Sequence, residues 1–153
     1  MRGFLAGVLL YLGLLALPAQ AGQALPVETV TIETAQGKTK FKAEIANTAL
    51  QRAGGLMFRK TMAADHGMLF DFGEDRPLMM WMKNTPLSLD MIFAGADGIV
   101  VHIAENTVPY SEDIISSGKP VRAVFEVNAG TAKRLGLKPG DRLHNAMFAE
   151  GGG

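Results

Sequence analysis

The alternation of apolar and polar positions changes character several times along the chain. Residues 27–34 are rich in β-branched side chains and predict a strand. After a turn at Gln36-Gly37, Phe41, Ala43 and Ile45 alternate with Lys40, Lys42 and Glu44. That period of two predicts a half-solvated second strand and a hairpin. Thr48 and Gln51 stand at capping-box spacing, so a short helix is expected to follow and to end near Gly54-Gly55. Residues 56–66 carry no period, residues 67–72 read as a third strand, and residues 73–77 read as a turn.

The stretch from Pro77 to Phe93 organises the rest. It holds the only tryptophan and four of the nine methionines. Leu78 to Met82 is apolar at every position, as a strand covered on both faces would be, and Trp81 between Met80 and Met82 is expected to be buried. A polar corner, Lys83-Asn84-Thr85, follows. Leu89, Met91 and Phe93 then alternate with Asp90, Ile92 and Ala94, which puts Asp90 on a face shared with apolar neighbours. Gly95 to Gly98 predicts a tight turn, and residues 99–104 a strand carrying His102. Residues 105–120 read as the longest loop. In the strand expected at 121–127, Val121, Ala123, Phe125 and Val127 share one face, and Arg122, Val124 and Glu126 the other. A second short helix at 131–135 should close at Gly136, and a turn at 138–141 leads into a last strand at 142–148. The elements predict a mainly β, single-domain sandwich or barrel of about eight strands with two short helices.

Residues 1–21 stand apart from that pattern. Arg2 gives a basic start, residues 4–17 an apolar run, and Pro18-Ala19-Gln20-Ala21 a small-residue cleavage site. The run is shorter than the ~20 residues a spanning helix needs. The expectation is a cleaved signal peptide, a domain over residues 22–153 with flexible ends, and a periplasmic or secreted product with no stable membrane anchor. Without Arg2 the chain keeps 14 basic against 15 acidic side chains, a net charge of −1. Such a balance gives no electrostatic footprint for nucleic acid. The absence of cysteine excludes thiol chemistry and thiolate-bound metal, and leaves stability to packing.

Several motifs recur in a fixed order: Gly-Leu-Met-Phe-Arg at 55–59, Gly-Met-Leu-Phe at 67–70, Trp-Met-Lys-Asn-Thr at 81–85, Leu-Asp-Met-Ile-Phe at 89–93, Phe-Glu-Val-Asn-Ala-Gly at 125–130 and Gly-Asp-Arg-Leu at 140–143. In this order they resemble the family called domain of unknown function 192, over most of the chain that follows the leader. The resemblance implies a small, β-rich, often exported domain, and it brings no activity, substrate or catalytic residue. Pro86 departs from the family pattern, in which an aliphatic residue follows the threonine.

The candidate chemistry is read from side chains alone. Lys83, Asn84, Thr85 and Asp90 offer a cation, an amide, a hydroxyl and a carboxylate on either side of one bend, the mixed set a polar ligand requires. Alternatively Asn84 and Thr85 only close a turn. Asp90 and Glu126 are the candidates for acid–base catalysis, provided burial raises one pKa; otherwise they accept backbone hydrogen bonds or pair with Arg59, Arg122 or Lys83. The histidines His66, His102 and His144 are dispersed. Thioethers suit Cu(I), but Met79, Met80 and Met82 in an apolar strand read as packing, and no metal or cofactor is expected. The expected function is binding of a small polar ligand or a cell-envelope component. A hydrolase built on Asp90 and Glu126, or a structural accessory protein without a small-molecule site, are the alternatives, and catalysis stays open.

Overall fold

The computed structural model describes residues 24–148; the expected signal peptide lies outside them. The chain runs β1 (Val27–Thr34), β2 (Gly37–Ala46), α1 (Ala49–Gly54), β3 (His66–Met80), β4 (Leu89–Ala94), β5 (Val100–Ala104), β6 (Ile115–Asn128), α2 (Thr131–Leu135) and β7 (Arg142–His144). All seven strands form one sheet in the order β5-β4-β6-β3-β2-β1-β7. Only β2 and β3 run parallel, and α1 lies in the crossover between them.

The β1–β2 hairpin forms as the alternation predicts, with Gly37 at φ 124 in its turn. The sheet then curls until its outer strands approach. A bridge from Ile99 to Arg142 and the bond from the Val100 amide to the Asp141 carbonyl tie the two edges together. The fold is therefore a half-barrel made from one curled sheet, of the two forms expected the barrel-like one.

Curling divides the apolar side chains between two cores. All seven strands contribute to the first, through residues such as Ile32, Phe41, Leu69, Ile92, Phe125 and Leu143, so it fills the concave side. Phe41 and Phe125 meet there edge to face at 5.8 Å. The second core covers the other face of β3, β4 and β6 with Met68, Phe70, Met91, Phe93 and Val124. Leu56 and Met82, from the segments after α1 and after β3, close over it.

Three sequence expectations change. The strands expected at 67–72 and 78–82 are one strand, β3, which passes through residues 73–77 with shifts of register against β6. That merger gives seven strands in place of about eight. The loop expected at 105–120 ends at residue 114, because β6 begins at Ile115 to pair with the far half of β3. The last strand is only Arg142–His144, where β1 offers partners. Pro77 stands opposite Pro120, so two residues without an N–H face each other across the ladder. Neither proline breaks its strand.

Candidate functional site

The second core is incomplete at one end, and the gap is a cavity of about 340 Å³. Its wall is built by three segments. On one side stands α1, whose first turn is closed by the predicted capping box: the Gln51 amide donates to the Thr48 hydroxyl, and the Gln51 side chain accepts from the Thr48 amide. The helix ends at Gly55, which a side chain could not replace freely, since a Cβ there would stand 3.2 Å from the Phe70 ring. Arg52 fastens this helix to β3 by donating to the carbonyls of Asn47 and Asp71 at 2.8 and 2.7 Å. Its guanidinium lies 5.0 Å from the Phe72 ring centre.

The end of β3 and the polar corner supply the opposite wall. Along this stretch burial alternates: Leu78 and Met82 point inward, whereas Met79 is 72% and Trp81 45% exposed. The expectation of a buried Trp81 is therefore corrected. The continuous apolar run concealed a strand period of two, and its outward members form the rim of the cavity. Lys83 places its ammonium 5.1 Å from the Trp81 ring centre and is 3.9 Å from Glu112, an exposed and weak ion pair.

Asn84 adopts a left-handed backbone with φ 54, and its carbonyl accepts the Phe58 amide at 2.7 Å. Its side-chain amide reaches the Met57 sulfur at 3.9 Å. Thr85 is buried, and its hydroxyl donates to the Lys83 carbonyl at 3.1 Å, which matches the turn-closing alternative. The bend is braced from outside by the loop before β6, since Tyr110 donates its amide to the Thr85 carbonyl and Ser111 accepts from Met82.

Glu126 completes the site from below. It lies on β6 opposite Met68 of β3 and Met91 of β4, on the same face as Val124, and only 4% of its surface is exposed. Among the described residues no hydrogen bond or ion pair reaches its carboxyl. The arginines named as its alternative partners are engaged elsewhere: Arg59 holds Glu44 with both terminal nitrogens, and Arg122 holds Asp71 with two bonds of 3.0 Å. Burial alone pushes the Glu126 carboxyl up to about 8. At neutral pH it is a neutral acid, able to donate one hydrogen bond and accept others.

Asp90 does not belong to this group. Its cross-strand partner is Val127, one position from Glu126, so the two carboxyls leave the sheet on opposite faces. On the concave side Asp90 is fully buried and accepts from the amides of Asn106 at 2.9 Å and Ala132 at 2.8 Å. It anchors the loop after β5 and the start of α2. The Asp90–Glu126 pair on which the alternative hydrolase reading rested is thus not assembled. Of the residues expected to bind a ligand, Lys83 and Thr85 line the cavity, Asn84 shapes its bend, and Asp90 is scaffold. Arg52, Met57, Phe70, Phe72 and Met79 also line it, and sequence reasoning did not single them out as site residues. Among the described residues no three His, Asp or Glu side chains gather as they would around a metal ion.

These features define a class: a small half-barrel β protein with an apolar cavity, cations on the cavity wall and an acid at its base that has no partner among the described residues. The chain belongs to the domain of unknown function 192 family, described as "Uncharacterized ACR", whose model matches residues 30–145. It is similar to a protein from Sinorhizobium meliloti 1021, described as a candidate transcription regulator, at 55% identity and a TM-score of 0.79. That match covers 82% of this chain and 98% of the other. A protein of unknown function from Novosphingobium aromaticivorans is 39% identical, with a TM-score of 0.77 over 85% of this chain and 91% of its own. No curated protein matches the chain.

Proposed function

We propose that the mature domain is exported and binds a small ligand in the cavity between α1, the end of β3 and the Lys83 corner. The observation that carries this reading is Glu126. The residue is only 4% exposed and no protein group pairs with its carboxyl, an arrangement that costs stability unless the carboxyl faces a space that a ligand can fill, and Glu126 lines the cavity. The volume is near the lower end of the ~300–1,000 Å³ range of ligand pockets, which suits a small molecule. Apolar walls with few polar groups are the usual composition of such sites. Export rests on the leader at residues 1–21, and a mature N-terminus at Gly22, read by sequencing the native protein, tests it. The Sinorhizobium relative's description would make this chain a regulator of transcription. With a net charge of −1 after loss of the leader, the chain has no excess of cations with which to neutralise phosphates.

A thermal-shift screen of envelope sugars, amino acids, nucleotides, organic acids, organic amines and divalent metals tests the binding reading. At least one class should raise the melting temperature, and the Lys83→Ala and Trp81→Ala variants should reduce that shift. No shift with any compound would reject a small-molecule site. The domain would then be an accessory protein.

A further inference from the structure

We infer that the cavity selects small organic anions, in particular carboxylates carrying a flat or short apolar body. The inference rests on the binding reading above and deepens it by naming the class of ligand. It follows from the charges that meet in one small space. The ionisable groups lining the cavity are Arg52 from α1, Lys83 from the corner and Glu126 from β6. The residues directly opposite Glu126 on β3 and β4 are Met68 and Met91, neither of which carries a charge. Two cations therefore share the cavity with an acid that burial keeps uncharged at neutral pH.

An ammonium ligand would meet two like charges and would have to ionise Glu126. A carboxylate meets cations, and the Glu126 hydroxyl can donate to it, giving a short charge-assisted bond. A cavity of this volume is only about 9 Å across if round, so one small ligand can reach both the floor and the rim. The remaining walls suit an apolar body. Met57, Met79 and Met80 are adaptable and polarisable, and Trp81 offers a half-exposed ring on which a flat group can stack. Lys83 is 41% exposed in its side chain and only loosely paired with Glu112, so it can turn toward a ligand without breaking a buried contact.

The test uses two matched series that differ in head-group charge: benzoate, benzamide and benzylamine, and hexanoate, hexanamide and hexylamine. Their dissociation constants are measured calorimetrically on the mature protein. The carboxylates should bind at least tenfold more tightly than their amides, and the amines not at all. Lys83→Glu should weaken carboxylate binding by tenfold or more. Because an ionised Glu126 repels the ligand and can no longer donate, wild-type affinity should fall about tenfold from pH 7 to pH 9. Glu126→Gln keeps a donor that does not titrate, so this variant should still bind at pH 7 and show no such fall. Should it fail to fold, the wild-type pH profile and the Lys83 variant decide the matter. Amines or amides binding as tightly as carboxylates would overturn the inference, as would carboxylate affinity that is insensitive to Lys83→Glu. If carboxylates fail while another class from the thermal-shift screen binds, the inference falls and the binding reading stands. If nothing binds in either experiment, both fall.

Discussion

Replacing Glu126 by glutamine should make the domain more stable at neutral and alkaline pH and leave it nearly unchanged in mild acid. In the unfolded chain the carboxyl titrates near its ordinary value of 4.5, whereas in the folded domain it keeps its proton to about 8. Between those limits the native state binds one proton more than the unfolded state, so stability falls as pH rises. The full contribution is present below pH 4.5 and is lost by the time pH passes 8. A separation of about 3.5 units at 1.36 kcal/mol each corresponds to roughly 5 kcal/mol in all, of which about 4 falls between pH 5 and pH 8. Glutamine has nearly the same shape and no titration. Urea denaturation of both proteins at pH 5 and pH 8 measures the effect, with m-values compared to establish that both unfold alike. The advantage of the variant should grow by about 3–5 kcal/mol over that interval. Asp71 works in the opposite sense and outside this window. Burial pushes its carboxyl up, but the bonds from Arg122 and the Gly73 amide outweigh burial and hold it below 3.8. Its contribution is present above that value and is lost as pH falls further. A stability difference between the two proteins that stays constant from pH 5 to pH 8 would refute the claim that Glu126 is buried as a neutral acid.

Three further substitutions probe the cavity rim and the sheet that carries it. Asp90→Ala strands the buried amides of Asn106 and Ala132 and should cost about 3–5 kcal/mol in denaturation; a loss below about 1 kcal/mol would mean that the loop and α2 do not depend on it. Trp81→Ala should cost less than about 1.5 kcal/mol, because nearly half of the ring already faces solvent, while removing the stacking surface for any bound ligand; a core-like loss would show that the rim is part of the packing. Gly67→Ala should destabilise by about 1–3 kcal/mol, since a Cβ there would meet the Glu126 carbonyl at 2.6 Å and the Phe125 ring at 2.7 Å, and unchanged stability would show that β3 and β6 can separate locally.

Local rules made much of the fold legible. The β1–β2 hairpin, the Thr48 capping box and the closure of α2 at Gly136 each depend on neighbours within a few positions, and each forms where the sequence predicts it. What escaped was set by partners far along the chain. Gly73 and Pro77 read as a turn because both interrupt strands when considered alone. In the sheet, the same residues lie in a stretch where β3 shifts register against β6, and Pro77 meets Pro120. Bulges need a partner strand to be recognised, and the partner here lies some forty positions away.

The polar corner beside the cavity was legible as a location, but which of the candidate residues meet there was not. The Lys83 corner does line the cavity, but Asp90, seven positions on, sits on the far side of the sheet, since strand parity separates it from Glu126. Trp81 was assigned to the core from the apolar character of its neighbours, yet an apolar run says nothing about which faces will find cover. In this domain the second core ends before it reaches Met79 and Trp81, and the uncovered side chains border the cavity instead. Glu126 posed the opposite problem. Its place on the mixed face with Arg122 and Val124 left its burial open, and whether it is a catalyst, a salt-bridge partner or a ligand group depends on where the arginines go. Because Arg59 is held by Glu44 and Arg122 by Asp71, the acid is left to the cavity alone. The feature on which the proposed binding reading turns is therefore a pairing that does not occur among the described residues, and that could be read only once every other charge nearby had been placed.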